Sequence, residues 1–318
     1  MPRMKQISQT LGLQRPQPWP WTALLAGGAA GLALVATIRA RRARRYDLRG
    51  RVAVVTGGSR GLGFLVAEEL ARAGCRVVIC ARDPRELALA RDQLSPYTDV
   101  LAVTCDVSNP ADVERMLSRA VTRFGGIDLL VNNASIIQVG PLEATTLKDY
   151  QRALDVNFWG TVHATLGVLP QMRRQGDGRI VNIASIGGKV AVPHLLPYDC
   201  AKFAVVGFSE GLRAEAARDG ISVTTVVPGL MRTGGERFAR FKTAGDARWF
   251  SVAARLPFLT VSARRAARTI VAAARHRRGE VVIGLPAKLL RLVHDLFPAA
   301  TLRTLDVSNR LLPRAKPV

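Results

Sequence analysis

The chain has 318 residues, of which 48% are apolar, and its 46 Lys or Arg residues outnumber 24 Asp or Glu for a formal net charge of +22. This length and apolar content suffice for a sizeable core, which excludes a largely disordered chain. With four Cys in all, a disulfide-stapled secreted scaffold is also disfavoured.

The positive charge is concentrated at the two ends of the chain. Residues 1–51 hold ten basic side chains and one acidic, and residues 255–318 hold thirteen basic and three acidic. Residues 52–254 are nearly neutral, with 23 basic and 20 acidic side chains. Because this middle part has no basic recognition helix, we predict no nucleic-acid partner. The basic ends favour contact with a membrane surface.

The first apolar segment lies near the N-terminus. Residues 16–38 carry no formal charge, and as a helix the part from 19 to 38 would span roughly 30 Å, the thickness of a bilayer core. Trp19 and Trp21 stand at its start, where interfacial aromatic side chains are favoured, and five arginines follow within 39–45.

These features predict three consecutive parts: a polar N-terminal segment (1–18), a transmembrane anchor helix (19–38) and an Arg-rich linker (39–50). The positive-inside rule then places the rest of the chain in the cytoplasm. A cleaved signal peptide, an interfacial helix and a helix packed on the protein remain alternatives for the apolar segment.

From residue 51 onward, short apolar runs alternate with helix-like stretches. The runs predicted as strands are 51–56, 76–80, 100–104, 127–131, 179–183, 221–227 and 280–283. The helices predicted between them run from the glycine-rich turn to Ala73 and then over about 85–94, 110–124, 146–175 and 198–218.

Strands this apolar are buried on both faces, and their alternation with helices indicates an α/β fold. We predict a Rossmann-type doubly wound parallel sheet of about seven strands. The domain is assigned to residues 51–285, and its ligands are expected beyond the carboxyl ends of the strands.

The glycine-rich turn after the first strand predicts a dinucleotide site. Glycines here permit a tight turn and a close approach of the backbone to a pyrophosphate, and the following helix offers free N–H groups to it. The candidate cofactor-binding residues of this turn are Gly57, Ser59, Arg60, Gly61, Leu62 and Gly63.

The spacing of this turn, T-G-x-x-x-G-x-G, resembles that of the short-chain dehydrogenase/reductase family, and the resemblance extends over roughly 50–285. Asn132-Asn133-Ala134 resembles the family's N-N-A-G motif, with Ser135 in place of the Gly. The other cofactor-binding residues that the resemblance implies are Asp106, Val107, Asn133, Ala134, Pro228, Gly229 and Thr233. The catalytic residues that it implies are Asn157, Ser185, Tyr198 and Lys202.

The catalytic set also makes chemical sense by itself. Tyr198 and Lys202 are four residues apart, so they share one face of a helix. A nearby ammonium would lower the pKa of the Tyr198 phenol, which could then exchange a proton with a carbonyl or alcohol. Ser185 would stabilise charge that develops on the substrate oxygen. The resemblance implies that Asn157 supports a water that connects Lys202 to solvent, and that Tyr198 and Lys202 also contact the cofactor.

The choice of cofactor depends on charge near the adenosine ribose. Arg82 ends the second strand, where an acidic residue would accept the ribose hydroxyls of NAD. Arg60 is a second cation in reach, and Arg suits bidentate phosphate contacts. We therefore predict NADP(H), with NAD(H) as the alternative because Asp83 follows so closely.

The substrate region is less informative. By the resemblance, residues 230–260 form the family's variable substrate loop, and their large apolar side chains indicate either an apolar substrate or an apolar seal: Met231, Phe238, Phe241, Trp249 and Phe250. His194 and Leu195 are further candidates to line the pocket. The four His have no metal-ligand spacing with Cys, so no metal site is predicted.

The C-terminal residues 286–318 are predicted to form a basic amphipathic helical tail. One helical stripe is apolar and consists of Leu289, Leu292, Val293, Leu296 and Phe297. Such a helix can lie on an anionic membrane, or it can pack on the catalytic domain or on a partner subunit. The pattern leaves these alternatives open.

Together, these features predict a membrane-associated, NADP(H)-dependent oxidoreductase that interconverts a carbonyl and a secondary alcohol by hydride transfer, with Tyr198 as general acid/base. A location at the membrane suggests a lipophilic substrate such as a sterol, a retinoid or a fatty acyl carbonyl. The alternative is a non-catalytic NADP(H)-binding sensor or scaffold at the membrane. Members of the family commonly form dimers or tetramers, which makes a homo-oligomer a candidate state.

Overall fold

The computed structural model describes residues 46–232, 238–256 and 260–313. The strands of its main sheet are Val52–Thr56 (β1), Arg76–Ala81 (β2), Val100–Thr104 (β3), Leu129–Asn132 (β4), Gly178–Ile183 (β6), Ile221–Pro228 (β7) and Glu280–Ile283 (β11). Shorter strands are Gln138–Val139 (β5), Met231–Arg232 (β8), Arg240–Phe241 (β9) and Val261–Ser262 (β10). These short strands pair as β5 with β9 and β8 with β10.

The main sheet has seven strands in the order β3-β2-β1-β4-β6-β7-β11, and every neighbouring pair is parallel. Val54 of β1, for example, is in register with Val78 of β2 on one side and Leu130 of β4 on the other. The chain builds outward from β1 to β3 and then returns to place β4 on the other side of β1. This reversal separates the connections above β1 and β4, so a crevice opens at their carboxyl ends. The predicted doubly wound sheet is confirmed.

Eight helices flank the sheet within the described residues: Gly61–Arg72 (α1), Pro84–Leu94 (α2), Pro110–Phe124 (α3), Leu147–Leu154 (α4), Gly160–Gln175 (α5), Leu196–Ala216 (α6), Ala244–Arg255 (α7) and Ala263–Arg275 (α8). The helices predicted over 146–175 are present as α4 and α5, and a π-helical turn, Asp155–Trp159, joins them. One widened turn barely changes the apolar periodicity, so the pattern does not show it.

Both faces of the sheet are covered by apolar helix faces. Helices α1, α2 and α8 pack on one face through residues such as Val66, Leu94 and Ile270. Helices α3 and α5 pack on the other face, where Met116 and Met172 are fully buried. Because both faces are dry, the strands read as continuous apolar runs rather than alternating ones.

The tail forms two helices, Leu285–Leu296 (α9) and Pro298–Asn309 (α10). Ala287 and Leu290 of α9, with Leu305 of α10, pack against Ile186 and Val227 of the catalytic domain. The tail is therefore attached to the domain at the carboxyl edge of the sheet.

Across residues 46–232, 238–256 and 260–313, no helix combines the length and the apolar character needed to cross a bilayer. The anchor predicted at 19–38 lies outside the described residues.

Candidate active site

A cleft of about 1440 Å³ lies at the carboxyl edge of the sheet. The residues that follow β1, β2, β3 and β4 line it, together with the ends of β6 and β7. The predicted cofactor and catalytic residues that line it are Gly57, Ser59, Arg60, Gly61, Leu62, Gly63, Arg82, Asp106, Val107, Asn133, Ala134, Tyr198, Lys202 and Pro228. Asn157, Ser185 and Gly229 are not in its wall, and Thr233 lies outside the described residues.

The glycine turn forms a closely packed cradle at one end of this cleft. Gly57 and Gly61 have φ angles of +64° and +56°, which L side chains rarely adopt. A Cβ on Gly63 would lie 2.1 Å from the carbonyl oxygen of Gly57 and 2.4 Å from Nδ2 of Asn133. Only glycine therefore fits at position 63, because the start of α1 packs directly on Gly57 and Asn133, and a glycine turn of this kind at a helix start fits a bound pyrophosphate.

Thr56 joins the cradle to the loop after β4. Its Oγ1 accepts hydrogen bonds from the backbone N–H groups of Asn133 and Ala134, each at 3.0 Å. The Asn133 side chain donates in turn to the carbonyl oxygen of Thr56 at 3.0 Å. The sequence reasoning did not assign Thr56 a role, although its position directly before the glycines was a usable signal.

Asp106 lines the cleft directly after β3. Its Oδ1 accepts from the backbone N–H and the hydroxyl of Ser108, at 3.0 and 2.7 Å. Its own backbone N–H donates to Asp112 at 3.0 Å. These bonds fix the loop after β3 before any ligand binds.

Tyr198 and Lys202 lie on α6 at the other end of the cleft. The Lys202 ammonium is buried, donates to the carbonyl oxygen of Ile183 at 2.8 Å, and lies 5.6 Å from the centre of the Tyr198 ring. Burial lowers the pKa of Lys202 to about 7. The two side chains therefore share one face, as their spacing predicted.

The predicted lowering of the Tyr198 pKa is not present in this arrangement. Burial raises the pKa of Tyr198 to about 12, although a hydrogen bond with Ser185 opposes the rise. The reason is that the Lys202 ammonium is directed to a strand carbonyl and is itself costly to ionise. In this state the phenol is an acid that holds its proton.

Asn157 lies in the π-helical turn and is fully buried. Its Oδ1 accepts from the backbone N–H of Ile136 at 2.8 Å, and its Nδ2 donates to the carbonyl oxygen of the same residue at 3.1 Å. The side chain thus clamps the loop after β4 rather than lining the cleft. Ser185 ends β6, and its Oγ accepts from the backbone N–H of Gly187 at 3.1 Å.

Asp199 is a buried acid beside Tyr198 that the sequence reasoning missed. Its Oδ2 accepts from the backbone N–H of Val192 at 2.7 Å, while its Oδ1 has no hydrogen-bond partner among the described residues. Burial raises its pKa to about 8, against the effect of the Val192 bond. The sequence alone gives no sign of this, because Asp at the start of a helix is usually exposed.

A buried amide network supports α6 from below. Asn132 donates to Thr165 and to Asn182, each at 2.9 Å, and Asn182 donates to the Ser209 hydroxyl at 2.8 Å. The network joins β4 and β6 to the catalytic helix, so it fixes the height of that helix above the sheet.

At the end of the cleft beside Arg82, here called the adenosine end, one of the two predicted cations is already paired. Arg82 lines the cleft, but Arg60 forms an ion pair with Glu86, with Nη1 2.5 Å from Oε1. Its guanidinium also lies 3.6 Å from the centre of the Phe238 ring. Asp83 caps α2 by accepting from the backbone N–H groups of Arg85 and Glu86.

The substrate side of Tyr198 is apolar. Of the five large side chains of the substrate loop, Met231 and Phe238 line the cleft. The other three, Phe241, Trp249 and Phe250, pack with Leu195 and Tyr198 in one cluster. Phe238 lies against the Arg60 guanidinium, and the cluster borders Tyr198.

His194 connects this cluster to the substrate loop. Its Nδ1 lies 2.7 Å from Oδ1 of the fully buried Asp246 at the start of α7. The backbone φ angle of His194 is +67°, in the left-handed region that residues other than Gly adopt less often. The same residue borders a second cavity of about 660 Å³, which the tail residues Leu302 and Leu305 close from the other side.

The family model for short chain dehydrogenases matches residues 51–242. A putative oxidoreductase, SadH, of Mycobacterium tuberculosis is 36% identical over 245 residues, which cover 76% of this chain and 89% of that protein. The dehydrogenase/reductase SDR family member 7B of Danio rerio is 30% identical over 289 residues, covering 88% of this chain and 93% of the relative. The chain therefore belongs to the short-chain dehydrogenase/reductase family.

Solved structures agree with this assignment. A gluconate 5-dehydrogenase from Burkholderia cenocepacia, in complex with NADP and tartrate, superposes with a TM-score of 0.68 at 28% identity, covering 77% of this chain and 98% of the other. With its family, its fold and the glycine cradle established, the protein is an NAD(P)-dependent dehydrogenase or reductase.

Proposed function

We propose that this protein uses NADP(H) to interconvert a carbonyl and a secondary alcohol on a lipophilic substrate. The observation that carries the proposal is that the glycine cradle and the Tyr198–Lys202 pair line one continuous cleft. A dinucleotide held by the cradle at one end can then extend toward the pair at the other.

A dinucleotide held by the glycine cradle would supply or accept a hydride at its nicotinamide. The chain's own residues would do the rest. Tyr198, which holds its proton, would donate it to the substrate oxygen in the direction of carbonyl reduction. Ser185, which lowers the pKa of Tyr198 and so acts close to the phenol, stabilises charge on that oxygen. Lys202, whose buried ammonium has a lowered pKa and donates to the carbonyl oxygen of Ile183, would donate to hydroxyls of the cofactor ribose.

The preference for NADP(H) is supported by charge at the adenosine end. Arg82 and Arg85 both line the cleft. The carboxylate of Asp83 is engaged by two backbone N–H groups of α2, so it is held at the cap of this helix rather than left free for ribose hydroxyls. Arg60 contributes less than its sequence position suggests, because Glu86 neutralises it.

A lipophilic substrate is supported by the apolar cluster beside Tyr198. Leu195 and Phe250 are buried there, and Val192, Phe241 and Trp249 are partly buried. Contact with these side chains would favour an apolar substrate.

For the location, we keep the N-terminal segment 19–38 as a membrane anchor, with the catalytic domain in the cytoplasm. The uncharged length of this segment and the arginines after it support the proposal. Alkaline carbonate extraction of the full chain tests it: retention in the membrane fraction is expected, and complete release contradicts the anchor.

The decisive experiment is a screen of ketones, aldehydes and secondary alcohols with the full chain in detergent or vesicles, followed by NADPH and NADH absorbance. We expect turnover with NADPH, weaker turnover with NADH, and higher kcat/KM for long apolar carbonyls than for small polar ones. A clear preference for NADH would overturn the cofactor proposal. Tight NADPH binding without turnover of any carbonyl or alcohol would instead favour the non-catalytic sensor.

A further inference from the structure

The outer face of α9 is apolar and exposed. The five residues of its stripe, here called the tail stripe, are each between 47% and 62% exposed: Leu289, Leu292, Val293, Leu296 and Phe297. They follow one another at helical spacing along two turns, so they form one contiguous patch. Apolar patches of this kind on a folded domain commonly mark an interaction surface.

The tail stripe is not the face by which α9 packs on its own domain. Ala287, at 4% exposure, and Leu290 point to the domain and contact Ile186 and Val227. The helix therefore has apolar residues on two sides. Within the part of the chain that the structure describes, only the side with Ala287 and Leu290 packs against the domain. Amphipathic packing on the domain does not account for the tail stripe.

The charges of the described tail are mainly positive. Lys288 of α9 and Arg303 of α10 are exposed, Arg291 is paired with Glu280 and Asp295, and Arg310, which follows α10, borders the second cavity together with Asp306. Exposed cations beside an exposed apolar face are the composition of helices that lie in the surface of an anionic bilayer. In a two-fold contact between copies, the same cations would meet one another, which disfavours that occupant.

The position of α9 relates the tail stripe to the active site. The helix starts directly after β11, and its Ala287 packs closely on Gly229, which follows β7. Tyr46, where the described chain begins, lies at the opposite edge of the sheet, since its N–H donates to Arg275 at the end of α8. The first turn of α9 is thus at the edge where the cleft opens, and the helix then runs back beside β11, where Arg291 pairs with Glu280.

We propose that the tail stripe inserts into the headgroup region of an anionic lipid bilayer and holds the β11 side of the domain against it. Leu292 and Leu296 enter the acyl boundary, and Lys288 and Arg303 contact lipid phosphates. The consequence for catalysis rests on the proposed function: a domain held at the bilayer takes a lipophilic carbonyl from that bilayer. The contact itself does not depend on that function.

The test needs a local readout, because the N-terminal segment can attach the full chain to vesicles by itself. An environment-sensitive fluorophore is placed at Leu296→Cys in a Cys200→Ser background, since Cys200 is the exposed cysteine and Cys75, Cys80 and Cys105 are buried. The matched control carries the probe at Asp295→Cys, one residue away and about 100° around the same helix. Vesicles are pure phosphatidylcholine or contain about one-third phosphatidylserine, with brominated lipids as quenchers.

With phosphatidylserine vesicles, we expect the emission of the probe at position 296 to shift to the blue and to be quenched by the brominated lipids. Both responses should be weaker with neutral vesicles and at high salt. The emission of the probe at position 295 should change little. Co-sedimentation without a response at position 296 would overturn the proposal, since only the N-terminal segment would then be attached. A blue shift without lipid would also overturn it. If that shift grows with protein concentration, a second copy covers the stripe; if it does not, a segment of the same chain does.

A second arm separates this inference from the proposed function. In Leu292→Glu/Leu296→Glu, turnover of a water-soluble carbonyl should stay unchanged, whereas turnover of a carbonyl embedded in vesicles should fall at least tenfold. An equal effect on both substrates contradicts an orienting role for the tail stripe. If neither substrate is turned over by the unaltered protein, the proposed function fails while the probe experiment still decides the membrane contact.

Discussion

The two ends of the cleft differ in how they hold charge. At the catalytic end, Lys202 and Asp199 are buried, and burial shifts both of their pKa values toward the neutral form. At the adenosine end, Arg60 and Arg82 face solvent and are in part balanced by Glu86. Chemistry at one end thus depends on desolvation, whereas cofactor selection at the other depends on exposed charge.

The two ends of the cleft should therefore respond to different perturbations. Buried groups couple to folding and to pH, because moving a charge out of water is costly. Exposed arginines respond to salt and to the charge of the ligand, with little effect on folding. Variants that affect one end and spare the other therefore sharpen the comparison.

The largest expected effect is at the catalytic end. In Tyr198→Phe, kcat should fall by about 10²- to 10⁴-fold, because the proton donor is removed. Steady-state turnover gives the loss, and NADPH fluorescence titration should show that cofactor binding is retained. Tyr97→Phe, a distant and exposed tyrosine, serves as control. A variant that keeps a tenth of the activity would rule out the assigned role.

The next effect concerns the buried acid at the same end. Because Asp199 has a raised pKa of about 8, it stays protonated in the folded state while the unfolded chain ionises near pH 4. Its stabilising contribution is present at low pH and is lost as pH rises through about 8. Between pH 5 and 8 the unaltered protein should lose up to about 3 kcal/mol relative to Asp199→Asn.

Urea unfolding of both proteins at several pH values measures this difference. The exposed Asp92→Asn is the matched control and should give no pH-dependent difference. Lys202 also titrates in this range, but it is common to both proteins and cancels. If the stability difference between the protein and Asp199→Asn is constant from pH 5 to 8, Asp199 is not a buried neutral acid.

A smaller effect is expected at the adenosine end. Arg82→Ala should weaken NADPH binding about 10- to 100-fold, the value of a charge-assisted hydrogen bond, and leave NADH binding unchanged. Isothermal titration with both cofactors measures this. Arg91→Ala on α2, the helix that follows Arg82, is the control; Arg91 is paired with Asp92, and this variant should change neither affinity. Equal weakening for the two cofactors would mean that Arg82 does not contact the 2′-phosphate.

The smallest expected effect lies between the two ends. Thr56→Val keeps the shape of the side chain but removes the acceptor for the N–H groups of Asn133 and Ala134. The free energy of unfolding should fall by about 1–2 kcal/mol. Thr104→Val, at an exposed strand end, is the control in thermal or urea unfolding. Equal stability of Thr56→Val and the unaltered protein would show that water replaces these bonds.

Much of the fold could be predicted because its signals are local. The runs that became β3 and β11 were predicted with the bounds that the structure gives them, since a buried parallel strand is a continuous apolar run. The π-helical turn at Asp155–Trp159 could not be predicted, because its cause is the pairing of Asn157 with Ile136. That contact joins residues 21 positions apart.

The site shows the same division. Tyr198 and Lys202 could be placed on one face because four residues make about one helical turn. The raised pKa of Tyr198 could not be predicted, because it depends on where Lys202 donates and how deeply both groups lie. For the same reason, the sequence could not predict that Arg60 pairs with Glu86, or which side of α9 packs on the domain.

The sequence by itself determined the order of strands and helices, the glycine turn and the spacing of the catalytic pair, since these follow from backbone sterics and helical geometry over a few residues. Only the tertiary structure decided which charges are paired, which acids are buried and which face of the tail is left exposed. The physical reason is that desolvation and ion pairing depend on neighbours brought together by the sheet, and such neighbours are distant along the chain.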